Sequence, residues 1–384
     1  MRTGRLITPV TLLAVTLLIV IIPAERSGWK LSLDTGVIPF LAAFLTTVGI
    51  YSIFTLALNV QWGYTGVFNF GVAAFFMVGA YTGAIFSVGP ADPDSSLRYV
   101  GGFGDVFSPP FLDSEQWLPF IVATLAAGIA SGLLALLLAL PTLRLREDYL
   151  AITTLGVAEL LRRVVIQEDG LVNGSRSMIG IPSPLSGYFS ADTQRFVDLA
   201  IVVVLVAIVF LVVERSIRSP WGRVLRGLKE DEVAVAASGK NVFSFKMQGF
   251  VMGAVIMGMG GAIFAFNRGS IGPTTFEHFF ATFLIWAMLI VGGSGNNWGA
   301  IAGAYVVWGL WTTTLQLNGY DLPDILRSRI FFMRDFLVGA LIVIVLLLRP
   351  QGLVPEERRV SSWLDRQMRH QRKKPPEPAA APES

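Results

Sequence analysis

The sequence predicts an all-α integral membrane protein, a polytopic helical bundle of about eight to ten transmembrane segments with interrupted or re-entrant helices. Three observations carry that prediction. Of 384 residues, 53% are hydrophobic and 15% charged, with a mean hydropathy of +0.61, an apolar share too large for a domain bathed in water on all sides. Runs of about 17 to 25 apolar residues, the length a helix needs to cross hydrocarbon, recur from one end of the chain to the other. The basic residues gather in the short stretches between those runs, as topology signals do.

Ten hydrophobic segments follow in order: Leu6 to Ile22, Val37 to Leu58, Phe68 to Val88, Trp117 to Leu140, Tyr149 to Val165, Phe196 to Val213, Phe245 to Phe266, Phe279 to Val291, Ala300 to Leu317 and Phe332 to Leu348. The first follows Arg2 and Arg5 as a signal peptide would. Pro23-Ala24-Glu25-Arg26 offers no small-x-small cleavage site, so it reads as an uncleaved helix. The eighth is short, and it and the stretch Gly63 to Gly71 are candidates for half-helices or re-entrant pieces. With all ten segments crossing and both termini inside, nineteen Lys and Arg residues fall in inside loops and eight in outside loops. The positive-inside rule therefore selects a multi-pass protein of the cell membrane with cytoplasmic N- and C-termini. Two outside loops, Gly89 to Gln116 and Gln167 to Arg195, are long and rich in Asp, Ser, Pro and Gly; a solvated connection and a partner-binding surface are both open there. Residues 1–348 form the polytopic transmembrane domain in this reading, and 349–384 a basic, Pro/Ala-rich disordered cytoplasmic tail near anionic lipid.

Composition excludes several chemistries. The chain has no cysteine, and its two histidines, His278 and His370, lie far apart, which argues against a metal site. The pI near 9.2 reflects topology signals, so nucleic acid is not an expected partner. No Gly-x-x-x-x-Gly-Lys-Ser/Thr loop is present, and no Ser/His/Asp or paired-carboxylate arrangement is placed for catalysis. The chain is thus expected to be a non-catalytic subunit without cofactors of its own.

The largest inside loop, Glu214 to Phe245, contains Arg223, then Glu230-Asp231-Glu232, then alanines including Ala236, then Gly239. It reads as a short helix with acids at its start and a glycine able to take the left-handed conformation at its end. A helix of small residues outside the membrane fits a groove on a cytoplasmic partner. Gly63 to Gly71 and Gly292 to Gly299 each combine glycines with Asn or Gln in roughly corresponding halves of the chain, as interrupted helices around a solute path do. Gly63, Tyr64, Asn69, Gly71, Gly292, Gly293, Ser294, Gly295 and Asn296 are the pathway candidates. Close helix packing and polar turns are the competing explanation of the same glycines. Glu159 is the most deeply placed acid, and Arg162 and Arg163 lie three and four residues on, spaced to pair with it. Asp198 and Asp335 sit near segment ends and reach the interface.

The loop resembles the cytoplasmic coupling loop of bacterial ABC importer permeases, in the form found in the branched-chain amino acid branch. The stricter family pattern of Glu-Ala-Ala with an early Gly fails here, since Val233 follows Glu232 and Gly239 lies seven positions on. Three further stretches are similar to the same family: Leu58 to Gly66 with Asn69-Phe70-Gly71 and Gly79-Ala80-Tyr81, Leu143 to Gly156, and Val291 to Gly299, where a Leu is commoner than Asn296 or Asn297. The extra N-terminal span and charged tail match the longer, M-type permease. The resemblance implies a second related permease subunit, two cytoplasmic ATPases holding ATP and Mg, and an extracytoplasmic binding protein. It implies import of leucine, isoleucine and valine by alternating access, with Arg223, Glu230, Asp231, Glu232, Ala236 and Gly239 in ATPase coupling. A urea or short-amide ABC permease shares this architecture. An ion-coupled secondary transporter would need buried carboxylates, and only Glu159 is placed to serve. A membrane anchor without transport would not need the coupling loop or the breaks.

Overall fold

The computed structural model describes residues 15–16, 36–88, 117–186, 188–316 and 329–356. The loop from Gly89 to Gln116, the tail past Glu356 and all but two residues of the first hydrophobic segment lie outside them. Helices stand on every hydrophobic segment from Val37 onward: α1 (Val37–Leu58), continued by a π-helical turn Asn59–Tyr64, α2 (Val72–Ser87), α3 (Trp117–Thr142), α4 (Glu147–Gln167) and α5 (Ala191–Arg218). Two short helices follow, α6 (Pro220–Glu230) and α7 (Glu232–Ala237), then α8 (Val242–Arg268). A second π-helical turn, Phe279–Phe283, leads into α9 (Leu284–Gly292), and α10 (Asn297–Gln316) and α11 (Ile330–Leu348) complete the bundle.

Local chemistry sets the ends of these helices. Glu147 and Asp148 occupy the first turn of α4, where the helix dipole favours acids. Pro220 stops α5 at Arg218 and occupies the first turn of α6, where a missing N–H is harmless. Gly269, at φ +68°, closes α8 in the left-handed conformation. Among the described residues, four stretches are long and apolar enough to cross a membrane: Val37–Tyr64, Phe120–Thr142, Asp192–Arg218 and Val242–Arg268. Phe279–Gly292 and Asn297–Gln316, bent by 119° at their break, add a fifth if taken as one interrupted span. The 16 residues of α2 are apolar but shorter, and five charged side chains dilute α4.

α1 and α8 form the centre. α1 packs on α5, α8 and α10, while α2, α3 and α8 make a second tight group. Residues 50–60 of α1 and its extension are buried on all sides, and apolarity around a whole helix is the mark of such a position. Phe76 sits among Phe54, Phe264 and Phe276 at ring-centroid distances of 4.4 to 5.1 Å. α2 and α8 touch backbone to backbone, because a Cβ on Gly79 would lie 2.5 Å from the Gly258 Cα. α5 is the opposite case, exposing Val203, Val204, Ile208, Leu211 and Val212. Lipid or another apolar protein surface must cover that face.

The two ends of the bundle differ. At one, Met178–Ile179 pairs antiparallel with Ser270–Ile271. The connection from Gln167 to Arg195 folds onto this end, burying Val172, Asn173, Met178 and Ile181 while about half of its described residues stay exposed. At the other end lie α6, α7, the α1–α2 and α9–α10 turns and the segment after α11. The expected tail boundary at residue 349 needs correcting, because Gly352 and Leu353 are buried and the chain is packed as far as Glu356.

Candidate functional site

The α6–α7 element is built from a proline start and an alternation of apolar and charged positions. Gly222, Leu225 and Leu228 are buried, while Arg223 and Glu230 face outward. Trp221 Nε1 donates to Gln248 Oε1 at 2.8 Å, and Arg226 Nη2 donates to the Ile217 carbonyl at 2.7 Å, so α6 is fastened to the ends of α8 and α5. Asp231 separates the two helices and caps the second, its Oδ1 accepting from Val233 N at 2.9 Å and Ala234 N at 3.1 Å. Gly239 follows at φ +78°, and Asn241 caps α8. The expected short helix with acids first and a glycine after it is therefore present as α7, with α6 added in front. Lys246 pairs with Glu232, Ala236 is exposed, and no residue of α7 is buried. Val233 is 78% exposed at its tip.

Beside α6 lie both glycine-rich turns, each joining two consecutive helices. Asn69 holds the first: its Oδ1 accepts from Gly71 N at 2.8 Å, and its Nδ2 donates to Gln61 Oε1 at 2.7 Å. Gln61 Nε2 in turn donates to the Phe250 carbonyl at 2.7 Å. Gly71 is pressed against α4, where a Cβ would lie 2.8 Å from the Thr154 carbonyl oxygen. Gly63 faces the second turn, a Cβ there coming 2.8 Å from Gly295 N. In that second turn Gly292 touches Gly299 and Gly303 of α10, and Gly293 and Gly295 have φ of +108° and +79°. Asn296 Oδ1 accepts from Trp298 N at 2.9 Å at the start of α10. Close backbone approach thus occupies most of these glycines, while Gly293 and Ser294 also line a cavity of about 1020 Å³. Trp62, Arg218, Arg223, Arg226, Glu230 and Gln351 line the same space, so coupling and pathway candidates share one wall.

A buried polar chain, not singled out in the sequence, joins the two turns. Asn59 Oδ1 accepts from Gly295 N at 2.8 Å, and its Nδ2 donates to Asn297 Oδ1 at 3.0 Å. Tyr64 donates its hydroxyl to the same Oδ1 at 3.1 Å, and Asn297 Nδ2 donates to Glu214 Oε2 at 2.8 Å. Arg218 pairs with Glu214 and brings the chain to the base of α6. Amides inside apolar runs were the available signal, since such groups persist in hydrocarbon only when satisfied. Asn297→Leu removes one acceptor and one donor from three neighbours, and is expected to cost about 2 to 4 kcal/mol of stability. Thermal unfolding of the purified complex in detergent checks this.

Glu159 belongs to another place. Arg162 grips it with two bonds of 2.9 and 3.0 Å, and Arg163 adds one of 2.9 Å, the pairing that the spacing predicts. His278 Nε2 joins at 3.2 Å from far along the chain. Asp198 accepts from Ser183 and Gln194, and Asp335 lies beside Arg334, whose guanidinium stacks 3.6 Å from the Trp311 ring centroid.

Comparison with known proteins adds the following. The family model for the branched-chain amino acid transport system permease component matches residues 40–346. A probable branched-chain amino acid transport permease protein LivM of Methanocaldococcus jannaschii is 28% identical over 337 residues, covering 83% of this chain and 94% of the relative. The high-affinity LivM permease protein of Escherichia coli is 27% identical over 353 residues, covering 86% and 73%. A nucleoside ABC transporter permease protein of Lactococcus lactis is 24% identical over 304 residues, covering 76% and 86%. No solved structure matches.

Proposed function

Since the chain belongs to the branched-chain amino acid transport permease family and is a multi-pass membrane permease subunit, we propose that it conducts leucine, isoleucine and valine inward by alternating access. In this reading α6 and α7 face the cytoplasm and receive the stroke of two ATPase subunits. A second permease subunit completes the path, and a binding protein delivers solute from outside. One observation carries the proposal: no residue of α7 is buried and all but Val235 are exposed, while α6, one residue before it, is fastened to the spans α5 and α8. A partner pressing on α7 therefore moves helices that flank both turns. Such a partner shifts the inward–outward equilibrium only if it grips the two states unequally.

The solute is a zwitterion with an apolar side chain. Amide and backbone groups near the turns suit its charged end, and Trp62 and Ile290 in the shared cavity wall suit its side chain. Urea and nucleosides are the competing cargoes, the second because of the Lactococcus lactis relative. The test is reconstitution of the chain with its partner permease, ATPases and binding protein in vesicles. Labelled leucine is expected to enter only with ATP, and excess isoleucine to compete where urea or a nucleoside does not. Uptake without ATPases would end the ATP-driven reading, and competition by urea or nucleoside alone would end the assignment of cargo.

A further inference from the structure

The residues after α11 do more than leave the membrane. Arg349 to Glu356 turn back along the end of the bundle, and Leu353 N and Val354 N donate to the carbonyls of Val291 and Gly292, each at 2.9 Å. Those carbonyls belong to the last turn of α9, where no intrahelical donor is available. Asn296 Nδ2 donates to the Pro355 carbonyl at 3.0 Å, so the same segment holds the α9–α10 turn at a third point. Gly352, at φ +75°, lies against Gly293 without room for a side chain on either. The segment then ends on α6: Glu356 Oε2 is 3.1 Å from Lys229 Nζ. Lys229 also lies against the α1–α2 turn, where a Cβ on Gly66 would be 3.4 Å from its Cα.

We infer that residues 349–356 are a strap that links α6 to the α9–α10 turn, with Lys229, Glu356 and Asn296 as positioning residues for transport. The inference rests on the ATP-driven reading above. Its physical content is that α6 is tied to the second turn through two routes. One is the buried Glu214–Asn297 chain, and the other is the strap, with three hydrogen bonds to the turn and, next to the last of them, the Glu356 ion pair to α6. Proline at 350 and 355 and glycine at 352 keep the segment out of helix: it opens with a turn closed by Gly352 N on the Arg349 carbonyl at 2.9 Å, and Arg349 Nη1 donates to the Leu353 carbonyl at 2.9 Å. Displacement of α6 is then delivered to the turn as a pull on the Val291 and Gly292 carbonyls.

The test uses the whole complex in vesicles with leucine as the probe, and reads ATP hydrolysed per leucine imported together with the amount of assembled complex. Lys229→Glu and Glu356→Lys each place like charges together and are expected to raise that ratio about threefold, the scale of a partly exposed ion pair turned repulsive. The double variant restores opposite charges and should return the ratio to near the wild-type value. A structural role alone would lower the amount of complex and leave the ratio unchanged, and that result overturns the inference. A double variant no better than the single ones overturns it as well. Absence of ATP-dependent uptake in the wild-type complex would instead count against the ATP-driven reading.

Discussion

Gly293→Leu is expected to reduce uptake by more than tenfold, and to do so by removing assembled permease. Gly293 sits at φ +108°, ψ +117°, a conformation open to glycine and strained for any residue with a Cβ, by about 1 to 3 kcal/mol. Strain is the smaller part. A Cβ there would lie 2.8 Å from the Gln351 carbonyl oxygen and closer still to that of Val354, so the strap would have to leave its place. Its departure strands the Val291 and Gly292 carbonyls, each worth about 1 to 3 kcal/mol when buried and unpaired. Gly293→Ala should lose nearly as much, because the first carbon makes the collision. The alternative is obstruction: a leucine projecting into the cavity that Gly293 and Ser294 line. Uptake and the abundance of folded complex, measured on the same membranes, separate the two. Loss of both supports packing, loss of uptake at full abundance supports a place on the solute path, and normal uptake removes the turn from either role.

Helices were legible because an apolar run of about 20 residues has few other stable forms in hydrocarbon. The Glu159 pairing was legible because a spacing of three and four along a helix brings side chains together without knowledge of the fold. His278 was not, since it reaches Glu159 only through the packing of its own segment against α4. Asp231 and Gly239 announce the start and end of α7 by residue type, and Trp221, Val224, Leu225 and Leu228 after Pro220 recur at the helical spacing that marks α6. The glycines carried two meanings with one signal. Whether Gly79 or Gly292 meets backbone depends on partners elsewhere in the chain, here Gly258 and Gly299, which composition does not specify. The strap occupies the first residues of the stretch expected to be a disordered tail. Arg-Pro-Gln-Gly-Leu-Val-Pro-Glu has neither helical nor strand periodicity, and its order comes from main-chain bonds to residues about 60 positions earlier in the sequence.

Glu232→Arg is expected to lower uptake at least tenfold while the protein still reaches the membrane in normal amount. The second half of that statement follows from burial. No residue of α7 is buried, and Glu232 is about half exposed, so its pairing with Lys246 contributes at most about 1 kcal/mol to the fold. An arginine in the first turn of α7 opposes the helix dipole and repels Lys246, a further loss of a few tenths to 1 kcal/mol. Neither is enough to unfold a bundle whose core lies in α1, α2 and α8. Any large effect must therefore arise at the contact with a partner, where a reversed charge is brought to a surface that approaches α7 closely because its side chains are small. Val233→Asp, at the exposed tip, should act in the same direction with no ion pair involved. The check is uptake and ATP hydrolysis in vesicles holding equal amounts of each variant. Uptake at the wild-type rate in Glu232→Arg would place the motor's grip elsewhere on the chain, with α6 and its outward-facing Arg223 and Glu230 the next surface to test.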